Sequence, residues 1–117
     1  MTTPHERRIR PGRDGWAPVL HVDELWQGDM LGLRVAGCDL VLIHHDEGQF
    51  AAYEDRCPHA GSRLSEGNLS GGRLQCITHL WEFDASTGAG LKPTNCRLRR
   101  YPVKVEEGQV WVRLRTA

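Results

Sequence analysis

Between Arg56 and Phe83 the chain reads RCPHAGSRLSEGNLSGGRLQCITHLWEF, and within it a cysteine is twice followed closely by a histidine. The first pair is Cys57-Pro58-His59, the second is Cys76-Ile77-Thr78-His79, and sixteen residues separate His59 from Cys76. Two thiolates and two imidazoles can hold one zinc ion tetrahedrally. They can also hold a [2Fe–2S] cluster, with both sulfurs on one iron and both nitrogens on the other. A C-x-H step aims both side chains at a single metal only with difficulty. In the cluster, each loop instead sends its cysteine to one iron and its histidine to the other. Zinc sites more often pair C-x-x-C with H-x₃₋₅-H. Spacing therefore favours the cluster and leaves zinc as the alternative. Single cysteines and histidines are commonly packing or surface residues. Four in this order within 23 residues point to ligation.

The rest of the sequence bounds the setting. At 117 residues the chain fits one domain with a modest core, which a bound cofactor would help to hold. Lys plus Arg and Asp plus Glu both number 15, a balance that argues against nucleic acid. The first fifteen residues carry four Arg against Glu6 and Asp14. This basic head is expected to be a flexible tail (1–15), ahead of a single domain (16–117) with a metal-binding insertion at about 55–95. No apolar run is long enough to cross a membrane, and the N-terminus lacks the apolar stretch of a secretory signal. The expected location is a bacterial cytoplasm, where four cysteines read as metal ligands sooner than as disulfides.

Short apolar runs separated by turn residues predict an all-β sandwich or partial barrel. APVLHV, MLGLRV, DLVLIHH and QFAAYE read as strands, with DELWQGD as a turn or single helical turn and AGCD as a turn. Gly67 and Gly71-Gly72 mark breaks, and RLQC and WEFD lead into and away from the second Cys/His pair. YPVKV and QVWVRL, flanking EEG, predict a terminal hairpin with Val110, Val112 and Leu114 on one face. No amphipathic helix of ten residues is evident, so the Cys/His pairs belong on loops between strands.

CPHAGSRLSEG and CITHLWEFDASTG resemble the two cluster loops of Rieske ferredoxins, and TGAGLKPTNCRLRRYPVKV extends the likeness. Within that family, HLWEF, the TGxG turn and the PxxCxLxxYPV run are similar to the ferredoxin components of toluene- and alkene-monooxygenase-type diiron systems. The resemblance covers residues 18 to 115. It implies a small antiparallel β fold with a loop-built cluster-binding subdomain, and one [2Fe–2S] cluster. It implies Cys57 and Cys76 on one iron, and His59 and His79 on the other with their free nitrogens facing solvent. The implied function is a one-electron shuttle that carries out no catalysis of its own. The implied partners are an NADH-dependent flavin/iron–sulfur reductase and a diiron hydroxylase, both met transiently. The ferredoxin of a Rieske aromatic-ring dioxygenase, or the small Rieske-like subunit of a nitrite reductase, would carry the same cluster. A zinc-binding interaction module is the reading from a different class.

The sequence departs from the respiratory Rieske proteins in two ways. Ser62 and Thr78 stand where those proteins carry a disulfide. Trp81 and Phe83 stand where those proteins place hydroxyl donors to the cluster sulfurs. Fewer donors predict a potential near the low end of the Rieske range, about −150 mV. Trp81 is expected to shield the cluster or to meet a partner, and Pro93 matches the proline-bearing loop that covers it. His44 and His45 are expected in solvent, His5 in the tail and His21 in a strand. Cys38 is expected in its turn, and Cys96 as a packing residue. Arg97, Arg99, Arg100 and Lys104 form a basic run. Asp23, Glu24, Asp29, Asp46, Glu47, Glu54 and Asp55 are acidic counterparts, and either set could steer a redox partner.

Overall fold

The computed structural model describes residues 5–7, 9–46, 49–57, 63–76, 81–91 and 96–114. In chain order the strands are β1 (His5–Arg7), β2 (Trp16–His21), β3 (Met30–Val35), β4 (Cys38–Asp46), β5 (Gln49–Glu54) and β6 (Asn68–Ser70). They continue as β7 (Arg73–Gln75), β8 (Glu82–Asp84), β9 (Arg100–Tyr101), β10 (Val103–Glu106) and β11 (Gln109–Arg113). Two 3₁₀ turns, Val22–Glu24 and Leu64–Glu66, complete the regular structure. The fold is all-β, and among the described residues no helix is long and apolar enough to cross a membrane.

Three sheets stack in layers. The central one has the order β1-β3-β4-β5-β9; a second is β10-β11-β2; a third, small one is β6-β7-β8. The layering follows from the continuous apolar runs in β4 and β5. Successive side chains of a strand point to opposite faces, so a strand apolar at every position needs a neighbour on both sides. Leu40, Leu42, Phe50 and Ala52 pack with Val19, Leu33, Val110 and Val112 on one face. Val41, Ile43, Ala51 and Tyr53 pack with Leu64, Leu74 and Phe83 on the other.

Turn chemistry sets the registers. Three hairpins close through two-residue turns with both residues at positive φ: Ala36-Gly37, Gly71-Gly72 and Glu107-Gly108. That is the geometry matching the right-handed twist of the flanking strands.

The structure revises several local expectations. β1 lies parallel to β3, with His5 opposite Leu33, so the basic head expected as a tail carries an edge strand. Cys38 opens β4 instead of sitting in the turn, because Ala36-Gly37 alone complete the reversal. YPVKV is not one strand. Tyr101 pairs with Ala52 in the central sheet, and Val103 pairs with Val112 in the second. Pro102 lies at the crossing, where its missing N–H costs no ladder bond and its carbonyl accepts from Arg113 N–H at 3.0 Å. Lys104 is half-buried, its Nζ 4.6 Å from the Trp16 ring centroid and 5.6 Å from that of Trp111.

Candidate metal centre

Beyond β5 the chain passes through Asp55 and Arg56 to Cys57, which is 1 % exposed; Cys76 directly follows β7 and is 0 % exposed. Both thiols belong to the apolar cluster that contains Leu64, Leu74 and Phe83, and neither forms a disulfide. Each stands at the start of a segment leading to a histidine of the motif. His59 and His79 lie outside the described residues, as do Ser62, Thr78 and Pro93.

The register of the small sheet aligns the bases of these segments. Asn68 is opposite Gln75, Gln75 is opposite Glu82, and Leu91 N–H donates to the Glu82 carbonyl at 2.8 Å. Gly67, Cys76, Trp81 and Leu91 therefore lie at one end of this sheet. Cys76 N–H donates to the Trp81 carbonyl at 2.7 Å. Phe83 bridges to Gly90, and Ala89 to Arg97. Trp81 is half-buried against the same apolar cluster as the two cysteines, and Phe83 is fully buried in it.

The first loop is held differently. Asp55 is 4 % exposed. Its Oδ1 accepts from Ser65 N–H at 2.8 Å and its Oδ2 from Ser65 Oγ at 2.6 Å. Arg63 Nη1 stands 3.8 Å from both Asp55 and Asp39, and Arg34 grips Asp39 through bonds of 2.8 and 3.2 Å. Arg34's hydrogen bonds hold the Asp39 carboxyl below the usual carboxylate range. Asp55, grouped by sequence with the acids that could steer a partner, is instead a buried tie across the loop.

Two glycines and a tyrosine fit the small sheet to the rest. A Cβ on Gly67 would fall on the Gln75 carbonyl oxygen, so the first loop can return beside β7 only as glycine. A Cβ on Gly88, at φ +79°, would lie 2.7 Å from the Tyr53 ring. Tyr53 donates its hydroxyl to the Ala85 carbonyl at 2.8 Å, and burial pushes its pKa up to about 12. Asp84 caps the turn after β8 by accepting from Ser86 N–H and Oγ and from Thr87 N–H, and Ser86 holds its carboxyl low. These residues carry no motif signal. Only the Gly-rich breaks at 67 and 71–72 hinted at the tight return.

Most of the remaining candidates lie on other elements. His44 is half-buried, not solvated: it stacks on Phe50 at 4.1 Å, with Nδ1 2.8 Å from the Leu25 carbonyl. His45 is likewise half-buried. His21 ends β2 and caps the turn Val22–Glu24. Cys38 and Cys96 are half-buried. Arg97, Arg99 and Arg100 are exposed, and the latter two line an open cleft of about 360 Å³ with Tyr101, Pro102 and Arg113.

Two soft sulfur donors buried in one apolar cluster suit zinc or an iron–sulfur cluster better than a hard cation. Among the described residues no three His, Cys, Asp or Glu gather as metal ligands. Cys57 and Cys76 are the described half of the four-residue motif, and they fit the sulfur side of a [2Fe–2S] group.

Comparison with known proteins matches residues 15–102 to the Rieske [2Fe-2S] domain. The chain is 40% identical, over 83% of its length and 80% of the relative's, to the ferredoxin component of the alkene monooxygenase system of Xanthobacter autotrophicus. It is 34% identical to the ferredoxin component of the naphthalene 1,2-dioxygenase system of Pseudomonas putida, over 85% of this chain and 95% of that one. A chain from a solved complex of reduced oxygenase and oxidized ferredoxin in carbazole 1,9a-dioxygenase superposes with a TM-score of 0.77 at 31% identity. That match covers 86% of this chain and 94% of the other.

Proposed function

The chain belongs to the Rieske [2Fe–2S] domain family, and from that premise we propose that it is the electron-carrying ferredoxin of a multicomponent monooxygenase. Cys57 and Cys76 would hold one iron as thiolates, and His59 and His79 would hold the other through a ring nitrogen. When bound, the cluster supplies reversible uptake of one electron, and neutral imidazoles in place of two thiolates ease that uptake. The protein's own contribution is positional. The apolar floor of Leu64, Leu74 and Phe83 keeps water from the sulfur side. The bond from Cys76 N–H to the Trp81 carbonyl fixes the second loop. Trp81 shields that loop's base, and Pro93 matches the family's proline-bearing loop. The two histidines would provide the edge through which electrons enter and leave.

The carrier accepts electrons from an NADH-dependent flavin/iron–sulfur reductase and delivers them to a diiron hydroxylase. It works in the bacterial cytoplasm, through transient encounters, and turns over no substrate itself. The observation that carries this reading is the pair of cysteines buried in one apolar cluster, in a chain matching the family over residues 15–102. The likeness to an alkene-monooxygenase ferredoxin favours the diiron partner. The likeness to a naphthalene-dioxygenase ferredoxin supports a second reading, a Rieske dioxygenase as acceptor. Anaerobically purified protein should contain about two irons and two acid-labile sulfides per chain. Reconstituted with a reductase and each oxygenase type, it should support hydroxylation by the diiron enzyme. Iron-free or zinc-loaded protein would refute the carrier; turnover with the dioxygenase alone would select the second reading. With no hydroxyl at Trp81 or Phe83, the expected midpoint is about −150 mV, and a redox titration above about +100 mV would refute that expectation.

A further inference from the structure

We propose that Asp55 and Arg63 are positioning residues forming a charge-balanced tie across the first ligand loop, one that also tunes the electron affinity of the centre beside it. The inference rests on the cluster reading above. Asp55 is the one charged residue among those described that is fully buried, and it lies two residues before Cys57. Taking a carboxylate out of water is costly unless its oxygens are satisfied and a cation stands near. Both conditions are met across the loop. Ser65 donates from N–H and Oγ at 2.8 and 2.6 Å, and Arg63 lies 3.8 Å away. The pocket is shaped for this pair. A Cβ on Gly32 of β3 would lie 2.7 Å from Ser65 Oγ and 3.1 Å from Asp55 Oδ2, so glycine leaves the room they occupy.

Asp55 and Arg63 carry opposite charges 3.8 Å apart, and Arg63 stands at the same distance from Asp39, which Arg34 grips. Removing Arg63 leaves the buried Asp55 carboxylate, two residues before Cys57, without its cation where screening is weak, and removing the Asp55 charge leaves the partly exposed Arg63 cation unbalanced by it. Adding an electron makes the centre more negative. A residual positive charge therefore favours the reduced state, and a residual negative charge opposes it. A tie with no electrostatic role would weaken the loop whichever member was removed, without a sign.

The experiment compares iron-loaded native protein with Asp55→Asn, Arg63→Gln, Arg63→Lys and Ser65→Ala, by optical redox titration and by the rate of iron loss to a chelator. The midpoint should rise in Asp55→Asn, fall in Arg63→Gln, and stay near native in Arg63→Lys and Ser65→Ala. Iron loss should be several-fold faster in Ser65→Ala, which removes a bond without removing a charge. If Asp55→Asn does not fold, the contrast of Gln with Lys at position 63 still decides. Shifts of the same direction in Asp55→Asn and Arg63→Gln, or no shift in Arg63→Gln, would overturn the proposal while leaving the cluster intact. Native protein that holds no iron would overturn the cluster reading and this proposal with it.

Discussion

At Gly67 the chain passes against the Gln75 carbonyl so closely that one methyl group cannot be placed there. Gly67 has φ −86°, so its conformation is open to any residue and the demand is for space alone. Gly67→Ala must push the first loop away from β7. Overpacking of this kind costs about 1–3 kcal/mol, which in a domain this small should lower the thermal midpoint by about 5–10 °C. Scanning calorimetry would show it, and an unchanged midpoint would mean that the hairpin yields without cost. Tyr53 gives a second test. Its hydroxyl supplies the Ala85 carbonyl, and Tyr53→Phe leaves that buried acceptor unserved, at about 1–2 kcal/mol. Its folded pKa is raised to about 12 from 10.0. A raised pKa on an acid means that the folded state keeps the proton longer. The stability it contributes is therefore full below pH 10.0 and lost as pH climbs from there towards 12. Denaturant titrations across that window should show a decline in the native protein that Tyr53→Phe reduces.

Among the elements, the hairpins rest on two-residue turns, and these are not equally comfortable. Gly71-Gly72 adopts its turn without a side chain in the way, whereas Ala36, at φ 51°, carries a Cβ into the left-handed region. That region costs a non-glycine residue about 1–2 kcal/mol, partly offset by the greater freedom that glycine loses on folding. Ala36→Gly should therefore stabilise the β3–β4 hairpin by about 0.5–1 kcal/mol. Urea unfolding would read this as a higher midpoint at unchanged slope. A lower midpoint would show that the entropy of glycine outweighs the strain of alanine. The same hairpin places Gly32 of β3 and Asp39 of β4 beside Asp55, so the stiffness of this element reaches the base of the first ligand loop.

For the whole molecule, the three layers are unequally supported. The central sheet is covered on both faces, and its β4 and β5 strands are nine and six residues long. The small sheet has three strands of three residues each, held by Leu74, Phe83, Tyr53 and the two ligand cysteines. Strands so short are marginal without an added anchor, and a metal group that binds only the folded form stabilises by mass action. Removing iron with a chelator should therefore loosen β6–β8 and leave β3–β5 folded. Hydrogen exchange should quicken by at least about tenfold in Leu74 and Phe83 amides while Val41 and Leu42 stay protected. Uniform loss of protection would show instead that the layers unfold as one unit.

Composition and order alone determined a good deal here. Alternating and continuous apolar runs fixed β3, β5 and the β10–β11 turn to the residue or nearly so, because the two-residue period of a strand is a local property. The order of Cys57, His59, Cys76 and His79 named the chemistry, because ligands are few in kind and their spacing is limited by the chain. Tertiary structure decided what depends on distant partners. Pro102 divides YPVKV between two sheets because β5 and β11 each claim one half. Asp55 looks like any surface acid until Ser65 and Arg63 close over it. Cys57, after β5, and Cys76, after β7, join one buried cluster only because the central and small sheets pack against each other. A strand's period is written along the chain, whereas burial of a charge and adjacency of loops exist only once the layers have met.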